Sequence, residues 1–388
     1  MAGVPRICIV GAGFAGATLA QVLAELGEYE ITVFEGKEHV AGNCHTRRDP
    51  ISGVLVHEYG PHIFHTDREE IWNYVNRFGE FVPYVNRVRA QLSDGLYRLP
   101  VNLHTINQFF ETSFSSEEAR TFLSTRTDSS INEPKNFEEQ ALKLIGAELY
   151  EAFFYGYTKK QWGCEPKELP ASLLKRLPIR FNDDDNYYAD PWQGIPRDGY
   201  TQVIENMLRS SKIDVQLNHW YDKQEAASFD WIFYTGTLDG YFDYQAGELG
   251  YRTVYWESRR GTGSLQDHAV INYPGMDVPY TRIHEHRHFA PWESHRETIS
   301  FVEYSKETTR SDIPYYPKRL DHDKRILQTY RDMAASEHKL SFLGRLGTYR
   351  YMDMHHVIAE SIAFGQLAHE HFTNGGLLPA FPNLEGLE

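Results

Sequence analysis

Apolar and polar positions at the start of the chain follow the order strand, helix, strand. Residues 6–10 (RICIV) form a short apolar run, which is typical of a strand buried on both faces of a parallel sheet. Residues 17–26 place apolar side chains at helical spacing, and residues 31–34 form a second apolar run. This pattern predicts a βαβ unit whose first turn lies at residues 11–16.

That first turn has the sequence Gly-Ala-Gly-Phe-Ala-Gly. Gly11 permits a tight turn, Gly13 lets the backbone approach a pyrophosphate, and Gly16 lets the helix pack close to the strand. The helix begins near Phe14 and Ala15, where free N–H groups and the positive end of the helix dipole can face phosphates. The turn therefore predicts a dinucleotide site.

An acidic residue ends the second strand and supports this interpretation. Glu35 lies 19 residues after Gly16 and can accept hydrogen bonds from a ribose diol. The segment that follows contains Gly42 and Asn43 and looks like the glycine-containing turn of FAD proteins of the glutathione-reductase type. Ala41 stands where many of those proteins have a glycine. The segment favours FAD over NAD.

The middle of the chain changes to helical spacing. Ser115 and Glu118 can form a capping box, and Asn136 can cap the next helix. The apolar face predicted for that helix consists of Phe137, Ala141, Leu144, Ile145, Leu149 and Phe153. We expect a small helical domain over residues 103–172.

Later segments predict a return to the first domain and a separate sheet. Short apolar runs between residues 251 and 304 alternate with turn signals, as in an antiparallel sheet. Residues 200–242 and 318–388 resume α/β patterning. The predicted fold is α/β, with an FAD-binding Rossmann-type (glutathione-reductase-like) domain, an inserted helical domain and an antiparallel β-sheet domain. The FAD-binding domain takes residues 1–75, 200–242 and 318–388, and the sheet domain takes 76–102, 173–199 and 243–317.

Charge and composition exclude several functions. The net charge of −15 argues against a nucleic-acid surface, and no apolar run reaches the about 20 residues of a membrane span. The three cysteines form no zinc-type cluster, so we expect no metal and a reducing cytoplasm. We expect no signal peptide, because the first strand begins at about residue 6. The run at residues 183–185 (DDD) is interpreted as a solvated turn, since it lacks the pattern of a calcium loop.

Seven segments, in order, give the chain a more specific resemblance to the bacterial UDP-galactopyranose mutases. They are residues 60–66 (GPHIFHT), 157–163 (YTKKQWG), 175–181 (KRLPIRF), 193–196 (QGIP), 279–283 (PYTRI), 314–317 (PYYP) and 344–354 (GRLGTYRYMDM). The resemblance runs from the first strand to about residue 370.

The resemblance implies a flavin-dependent isomerase, an intramolecular transferase that interconverts UDP-galactopyranose and UDP-galactofuranose. FAD would be active in its reduced form, with N5 as nucleophile on the galactose anomeric carbon; UDP leaves and returns after ring contraction, with no net redox change. It also implies galactofuranose biosynthesis for a cell wall or surface polysaccharide. An external reductant, NAD(P)H or a flavin reductase system, and a homodimer would complete the system.

Two arginines match the family residues that clamp the substrate diphosphate. They are Arg176 and Arg282, whose planar guanidinium groups suit bidentate phosphate contacts. Arg180 is the alternative to Arg176. In the family the first arginine lies on a mobile loop that closes on substrate.

Other substrate contacts follow from the resemblance alone. The family tyrosines that bind the diphosphate and sugar correspond to Tyr157, Tyr187, Tyr316 and Tyr351, each with an aromatic neighbour (Tyr155, Tyr188, Tyr315 and Tyr349) that could take its place. Further contacts to uridine or galactose correspond to Phe153, Thr158, Trp162, Asn86 and Asn272, and Asp353 would fix either Tyr351 or the substrate. Phe153 also fits the apolar face of its own helix.

The resemblance also assigns residues to the flavin. His62 and His65 lie in a loop that approaches the flavin ring, where a histidine could respond to redox state through its backbone or its titration. The C-terminal motif adds Gly344, Arg345, Tyr351 and Met354.

Two other functions share the FAD fingerprint. One is an FAD-dependent oxidoreductase of the amine-oxidase type, in which two arginines in separate motifs would have no obvious task. The other is a flavin-free binding protein of the same fold, against which the intact set of Gly11, Gly13, Gly16 and Glu35 argues.

Overall fold

The computed structural model describes residues 3–176 and 179–382; the side chains of residues 175 and 176 lie outside that description. The strands are β1 (Arg6–Val10), β2 (Glu30–Phe34), β3 (Thr46–Arg48), β4 (Leu55–His57), β5 (Phe64–Thr66), β6 (Phe81–Pro83), β7 (Val88–Leu92), β8 (Gly95–Leu99), β9 (Trp192–Pro196), β10 (Ile213–Gln216), β11 (Trp231–Tyr234), β12 (Tyr251–Thr262), β13 (Val270–Asn272), β14 (Arg282–Glu285), β15 (Glu297–Glu307), β16 (Tyr316–Pro317) and β17 (Leu340–Phe342).

The α-helices are α1 (Phe14–Leu26), α2 (Glu69–Asn76), α3 (Leu103–Phe109), α4 (Ser116–Ser124), α5 (Phe137–Tyr150), α6 (Gly156–Trp162), α7 (Tyr200–Met207), α8 (Leu238–Tyr241), α9 (Asp321–Ser336), α10 (Gly344–Gly347) and α11 (Met354–Asn374). A π-helical segment, Glu151–Tyr155, joins α5 to α6. Short 3₁₀ turns lie at Gly42–Cys44, Pro166–Glu168, Ala171–Arg176, Lys223–Ser228 and His286–Phe289.

A five-stranded parallel sheet with the order β10-β2-β1-β11-β17 organises the nucleotide-binding part. Its central strand β1 is buried along its middle, as a strand covered on both faces must be. Helices α1 and α11 pack on one face, and a side chain at Gly365 would lie 2.8 Å from Val22. The α/β fold class is confirmed, with β11 and β17 supplied from far along the chain.

A seven-stranded sheet with the order β16-β12-β15-β14-β13-β7-β8 forms the second layer. Five of its six pairings are antiparallel, as the sequence predicts, but β7 and β13 are parallel. The alternating pattern of each strand predicts a half-buried sheet without giving the direction of its neighbour, which explains the difference. A three-stranded sheet, β5-β9-β6, links the two layers.

The helical region shares one hydrophobic core with strands β7, β8 and β13, and its predicted caps are confirmed. Ser115 and Glu118 form the capping box of α4, and Asn136 accepts a hydrogen bond from Glu139 at the start of α5. The predicted apolar face is wrong at Leu144, which is 42% exposed. Leu144 lies at the edge of the stripe formed by Phe137, Ala141 and Ile145, and a backbone kink follows at Gly146, so a single helical repeat does not describe all of α5.

Candidate functional site

A cavity of about 1280 Å³ lies between the carboxyl ends of the parallel strands and the seven-stranded sheet. Ligands of open α/β sheets bind at this edge, because the loops after the strands meet there. The first turn, the loop after β2 and the α10–α11 segment line one part of the cavity. Segments around β14 and β16 line another part. The site is therefore shared between the two layers.

Two of the three glycines in the first turn, Gly11 and Gly16, have no space for side chains. Gly11 has φ +103°, and a Cβ there would lie 2.1 Å from Oγ1 of Thr235. A Cβ on Gly16 would lie 2.0 Å from the carbonyl oxygen of Gly11. Gly13 is the N-cap of α1, no acidic residue occupies the first turn of that helix, and Phe14 and Ala15 line the cavity. The positive end of the helix is thus open to an anion.

Glu35, at the end of β2, holds the first turn in place. We call Gly11, Gly13, Gly16 and Glu35 together the cradle. The carboxylate of Glu35 accepts hydrogen bonds from the N–H groups of Ala12 (2.9 Å) and Lys37 (3.0 Å), and it lines the cavity. A carboxylate at this position retains acceptor capacity for a ribose diol. The geometry fits the dinucleotide prediction, and it shows that Glu35 also holds the turn in shape.

The loop after Glu35 closes over the cradle. A Cβ on Gly42 would lie 3.4 Å from Cα of Gly13, and Gly42 has φ +52°. Ala41 has φ +76°, a left-handed conformation that glycine adopts more readily. The backbone here follows the path that a Gly-Gly pair would favour, although the sequence has Ala-Gly. Asn43 also lines the cavity and accepts a hydrogen bond from Nζ of Lys37.

Two histidines predicted near the flavin line the cavity in different ways. Burial lowers the pKa of His62 to about 4, and its main-chain N–H donates to Nδ1 of His57 at 3.1 Å. Nδ1 of His65 forms a short hydrogen bond with Asp190, and its ring stacks on Tyr188 at 3.8 Å. His62 is thus a neutral side chain, while His65 is oriented by a carboxylate.

Cations and tyrosines meet where the seven-stranded sheet borders the cavity. Arg282 donates from Nε to Glu303 (2.9 Å) and from Nη2 to the hydroxyl of Tyr316 (3.5 Å). The guanidinium of Arg345 lies over the rings of Tyr351 (4.3 Å) and Tyr316 (5.2 Å), which stack on each other at 5.9 Å. Nε and Nη2 of Arg345 are buried and lack a hydrogen-bond partner among the described residues. These N–H groups are available to an anion.

Glu303 supplies a negative charge next to the guanidinium of Arg282. Burial alone would raise the pKa of Glu303, but the charge of Arg282 and the hydrogen bond from His284 outweigh it and lower the pKa to about 2. Arg282 therefore sits beside a permanent carboxylate, which fixes its Nε side. Its remaining N–H groups are left for the cavity.

Several other predicted substrate residues cluster around Arg282. Tyr157 interacts electrostatically with Arg282, and burial raises its pKa. The ring of Trp162 lies 6.3 Å from Tyr316, and Asn272 pairs with Arg282 across β13 and β14. Asp353 and Met354 line the cavity at the start of α11.

Tyr187 and Asn86 lie together. The N–H of Tyr187 donates to the carbonyl of Asn86 (2.8 Å), and the side-chain Oδ1 of Asn86 is buried without a partner among the described residues. Both Arg282 and Tyr351 interact electrostatically with Tyr187. The pair therefore borders the same cluster.

Two of the four aromatic neighbours of the predicted tyrosines are engaged away from the cavity. Tyr155 bonds to Glu165, and the buried Tyr349 donates to the carbonyl of Gly250, so both serve packing. Tyr315 lines the cavity together with Tyr316, whereas Tyr188 lines it and its predicted neighbour Tyr187 is not among the lining residues.

Three predicted residues lie elsewhere or outside the description. Phe153 packs in the core between the helices and strand β8, against Tyr97 (5.3 Å) and Phe109 (5.5 Å), as the apolar face of its helix favours. Thr158 is buried on α6. The side chain of Arg176 lies outside the described residues. Its alternative, Arg180, forms an ion pair with Asp184 at 3.0 Å within its own loop.

The sequence does not predict three residues that line the cavity or pair with a residue that lines it. Glu303 lies opposite Arg282 on β15, a relationship that only strand pairing reveals. Asp190 pairs with His65 from a distant loop. Trp220 is 80% exposed and lines the cavity beside Gly36, where a Cβ would lie 2.6 Å from its ring. The tryptophan was visible in the sequence, but its place beside the end of β2 was not.

The described residues contain no cluster of His, Cys, Asp and Glu that could hold a metal ion. The run at residues 183–185 is partly engaged in ion pairs, since Asp185 binds Arg87 and Arg89 at 3.0 Å each. None of the described helices is both long and apolar enough to cross a membrane.

Comparisons with known proteins identify the family and the fold of the chain. A family model described as UDP-galactopyranose mutase matches residues 152–351, and one described as an NAD(P)-binding Rossmann-like domain matches residues 9–78. The chain is 52% identical to a Klebsiella pneumoniae protein named "Probable UDP-galactopyranose mutase", covering 92% of this chain and 93% of that protein. It is 46% identical to the dTDP-fucopyranose mutase of Escherichia coli, covering 93% and 98%. A crystal structure of reduced UDP-galactopyranose mutase has the same fold, with a TM-score of 0.73 at 15% identity over 97% of this chain and 95% of that one.

Proposed function

This chain belongs to the UDP-galactopyranose mutase family, and we propose that it interconverts UDP-galactopyranose and UDP-galactofuranose with the residues around Arg282 holding the substrate. The observation that carries the proposal is the joint placement of Arg282, Arg345, Tyr316 and Tyr351 on one cavity that also contains the dinucleotide cradle. An anionic sugar nucleotide held there would have its sugar facing the cofactor. Family membership selects this function over the amine-oxidase and binding-protein alternatives.

FAD is the cofactor, and the cradle of Gly11, Gly13, Gly16 and Glu35 fits it. When bound and reduced, the flavin supplies the nucleophile and electron pair that the sugar rearrangement requires. The wall around Arg345 also fits the cofactor, because Gly344 has φ +71° and lets the backbone approach a ring closely.

Arg282 would hold the diphosphate. Its Nε is fixed by Glu303, so the planar guanidinium presents its other N–H groups in one direction. Bidentate contacts to a phosphate stabilise both the bound substrate and the UDP that leaves during ring contraction. Because the net charge of the chain is −15, this attraction must be local rather than a property of the whole surface.

The tyrosines would orient the sugar and exclude water. Tyr316 and Tyr351 stack with nearly parallel rings, 13° apart, so their hydroxyl groups are held by packing rather than by flexible loops. Groups held in this way position a substrate at little entropic cost when it binds. Tyr157 and Tyr187, close to Arg282, would complete the polar wall.

His62 would act without donating a proton to the sugar. The pKa of about 4 for His62 keeps it neutral at physiological pH, so a role through its backbone is favoured. His65 has its Nδ1 engaged with Asp190, which leaves Nε2 as the ring atom that can face the cofactor.

Arg176 completes the proposed clamp through its place in the motif at residues 175–181. The engagement of Arg180 with Asp184 supports choosing Arg176 as the second phosphate ligand.

We also propose a cytoplasmic homodimer that takes electrons from NAD(P)H or a flavin reductase. The three free cysteines, Cys8, Cys44 and Cys164, support a reducing compartment.

The test is to incubate the purified holoenzyme with UDP-galactofuranose, with and without dithionite, and to follow UDP-galactopyranose. Conversion that requires reduction is expected; equal turnover by the oxidised enzyme would reject a role for reduced flavin. The same assay with the dTDP-fucose pair tests substrate choice, since a dTDP-fucopyranose mutase is among the relatives. A higher kcat/KM for that pair would reassign the substrate.

A further inference from the structure

Lys160 on α6 is surrounded by main-chain carbonyl groups of a single turn. Its Nζ lies within hydrogen-bonding distance of the carbonyl oxygens of Tyr273 (2.6 Å), Gly275 (2.7 Å), Val278 (3.1 Å) and Tyr280 (2.9 Å). An ammonium group has three N–H donors, so four acceptors saturate it. Charged donors form the stronger hydrogen bonds, and here they all hold one segment in place.

This turn joins β13 to β14 and borders the proposed diphosphate site. Asn272 and Arg282 are the last paired residues of the two strands, and the N–H of Tyr273 donates to the carbonyl of Thr281 (2.8 Å) one step farther out. The shape of the turn therefore determines how β14 begins, at Arg282.

Helix α6 contacts the turn directly. A Cβ on Gly156 would lie 2.3 Å from the carbonyl oxygen of Pro274, so only glycine permits this approach. The same helix carries Tyr157 and Trp162, two of the predicted substrate residues. Lys160 thus connects one group of substrate residues to the turn that presents another.

The neighbouring lysine has a different environment. Lys159 pairs with Glu165 at 2.6 Å, and both side chains are more than a third exposed. An exposed pair of this kind contributes little to structure. Lys159 therefore provides a matched control on the same helix.

We propose that Lys160 is a positioning residue that locks α6 to the β13–β14 turn and thereby sets the distance between Arg282 and the substrate residues of α6. This inference rests on the proposed function, because it requires that Arg282 binds the substrate diphosphate. Without the ammonium group, the four carbonyls lose their common donor, and the turn shifts relative to the helix.

The experiment measures UDP binding by the FAD-loaded enzyme. Lys160→Met, which keeps the aliphatic stem, is expected to raise the dissociation constant for UDP about tenfold, since displacements of about 1 Å have large effects on such sites. Lys159→Met should stay within about twofold of the native value. Flavin content should be unchanged in both. An equal dissociation constant for the two variants would overturn the inference.

A double-mutant cycle separates positioning through Arg282 from a general loss of structure. If Lys160 acts through Arg282, Lys160→Met should weaken UDP binding by less than about twofold in an Arg282→Ala background. Losses that multiply independently would contradict the inference. If Arg282→Ala itself leaves UDP binding unchanged, the proposed clamp fails; if it weakens binding and Lys160→Met does not, only the role of Lys160 fails.

Gly156→Ala provides a second test if Lys160→Met does not accumulate as folded enzyme. The added methyl group pushes the turn away from α6 without removing any hydrogen-bonding group. The same selective loss of UDP affinity is expected, and native affinity in this variant would overturn the inference.

Discussion

Arg282 and Glu303 stand directly opposite each other on β14 and β15, with Nε of the arginine 2.9 Å from Oε1 of the glutamate. The glutamate side chain is fully buried, and about a quarter of the arginine side chain is exposed. One face of the guanidinium is therefore fixed inside the protein and the other is open to the cavity. Anion binding and stability are linked at this position.

Removal of Arg282 should destabilise the protein in a pH-dependent way. Arg282→Ala leaves Glu303 buried with His284 and Thr281 as its remaining side-chain partners among the described residues, at a cost of about 3–5 kcal/mol at neutral pH. The folded pKa of Glu303, about 2, lies below its unfolded value, so its stabilisation is present at neutral pH and lost as pH falls. In the variant this pKa rises, and protonation relieves the buried charge.

The gap in Tm between the native enzyme and Arg282→Ala should thus narrow between pH 7 and pH about 4.5. Arg259→Ala, which alters an exposed arginine of β12, is the control and should change stability by less than about 0.5 kcal/mol. A gap that stays constant over this range would show that Glu303 is not the group left unpaired.

Adding one methyl group to the glycine cradle should strongly weaken FAD binding. Gly11→Ala combines a positive φ with a contact of 2.1 Å to Thr235, so the turn must open and FAD affinity should fall by at least about tenfold. Gly263→Ala also has a positive φ (+77°) but meets nothing within 4 Å, and FAD titration of its apoprotein should give a native dissociation constant. Equal retention of flavin by both variants would argue against the cradle.

Buried histidines should make the protein acid-sensitive. Burial lowers the pKa of His57 to about 3 and of His62 to about 4, and holds that of His286 well below its usual value. Between these values and the unfolded value of about 6.5, only the unfolded chain binds the protons. Stability should therefore fall as pH drops below about 6.5, by about 1.4 kcal/mol per pH unit for each histidine.

His286→Phe tests this with a ring of similar size, since His286 already packs on Phe301 at 4.5 Å. Urea unfolding at pH 7, 6 and 5 should show a slope smaller by about one proton than in the native enzyme. An unchanged slope would mean that His286 is protonated in the folded state.

Trp220 should report directly on the cofactor. Its indole is 80% exposed and lines the cavity beside Gly36, next to the residue that holds the ribose end of the cradle. Aromatic rings left open in this way offer a stacking face to a planar base. Adding FAD to the apoprotein should quench tryptophan emission, and Trp220→Phe should lose most of that quench. A quench of native size in the variant would assign it to another tryptophan.

Local patterns predict the parts of the site that are contiguous in sequence. The cradle of Gly11, Gly13 and Gly16 with Glu35 follows from one βαβ unit, because the whole constraint lies within about 30 residues. The caps of α4 and α5 are similarly local. The parallel pairing of β7 with β13 cannot be predicted from local patterns, because it joins segments about 180 residues apart. The sequence of each strand does not specify whether its neighbour runs parallel or antiparallel.

The predicted substrate residues likewise depend on contacts between segments that are far apart in sequence. Motif order suggested Arg282, but its partner Glu303 emerges only from the register of two strands. The choice between Tyr349 and Tyr351 depends on which side of the chain faces the cavity. In the structure Tyr349 is buried, and its hydroxyl donates to the carbonyl of Gly250. Phe153 fitted both a helical core and a substrate contact, and packing places it in the core.

The most direct test is turnover of UDP-galactofuranose by dithionite-reduced Arg282→Ala, compared with the reduced and oxidised native enzyme. We expect UDP-galactopyranose from the reduced native enzyme alone, while the variant keeps its bound, reducible flavin and forms no product. Product formation by the variant at the native rate would contradict the placement of the substrate diphosphate at Arg282, and with it the proposed organisation of the site.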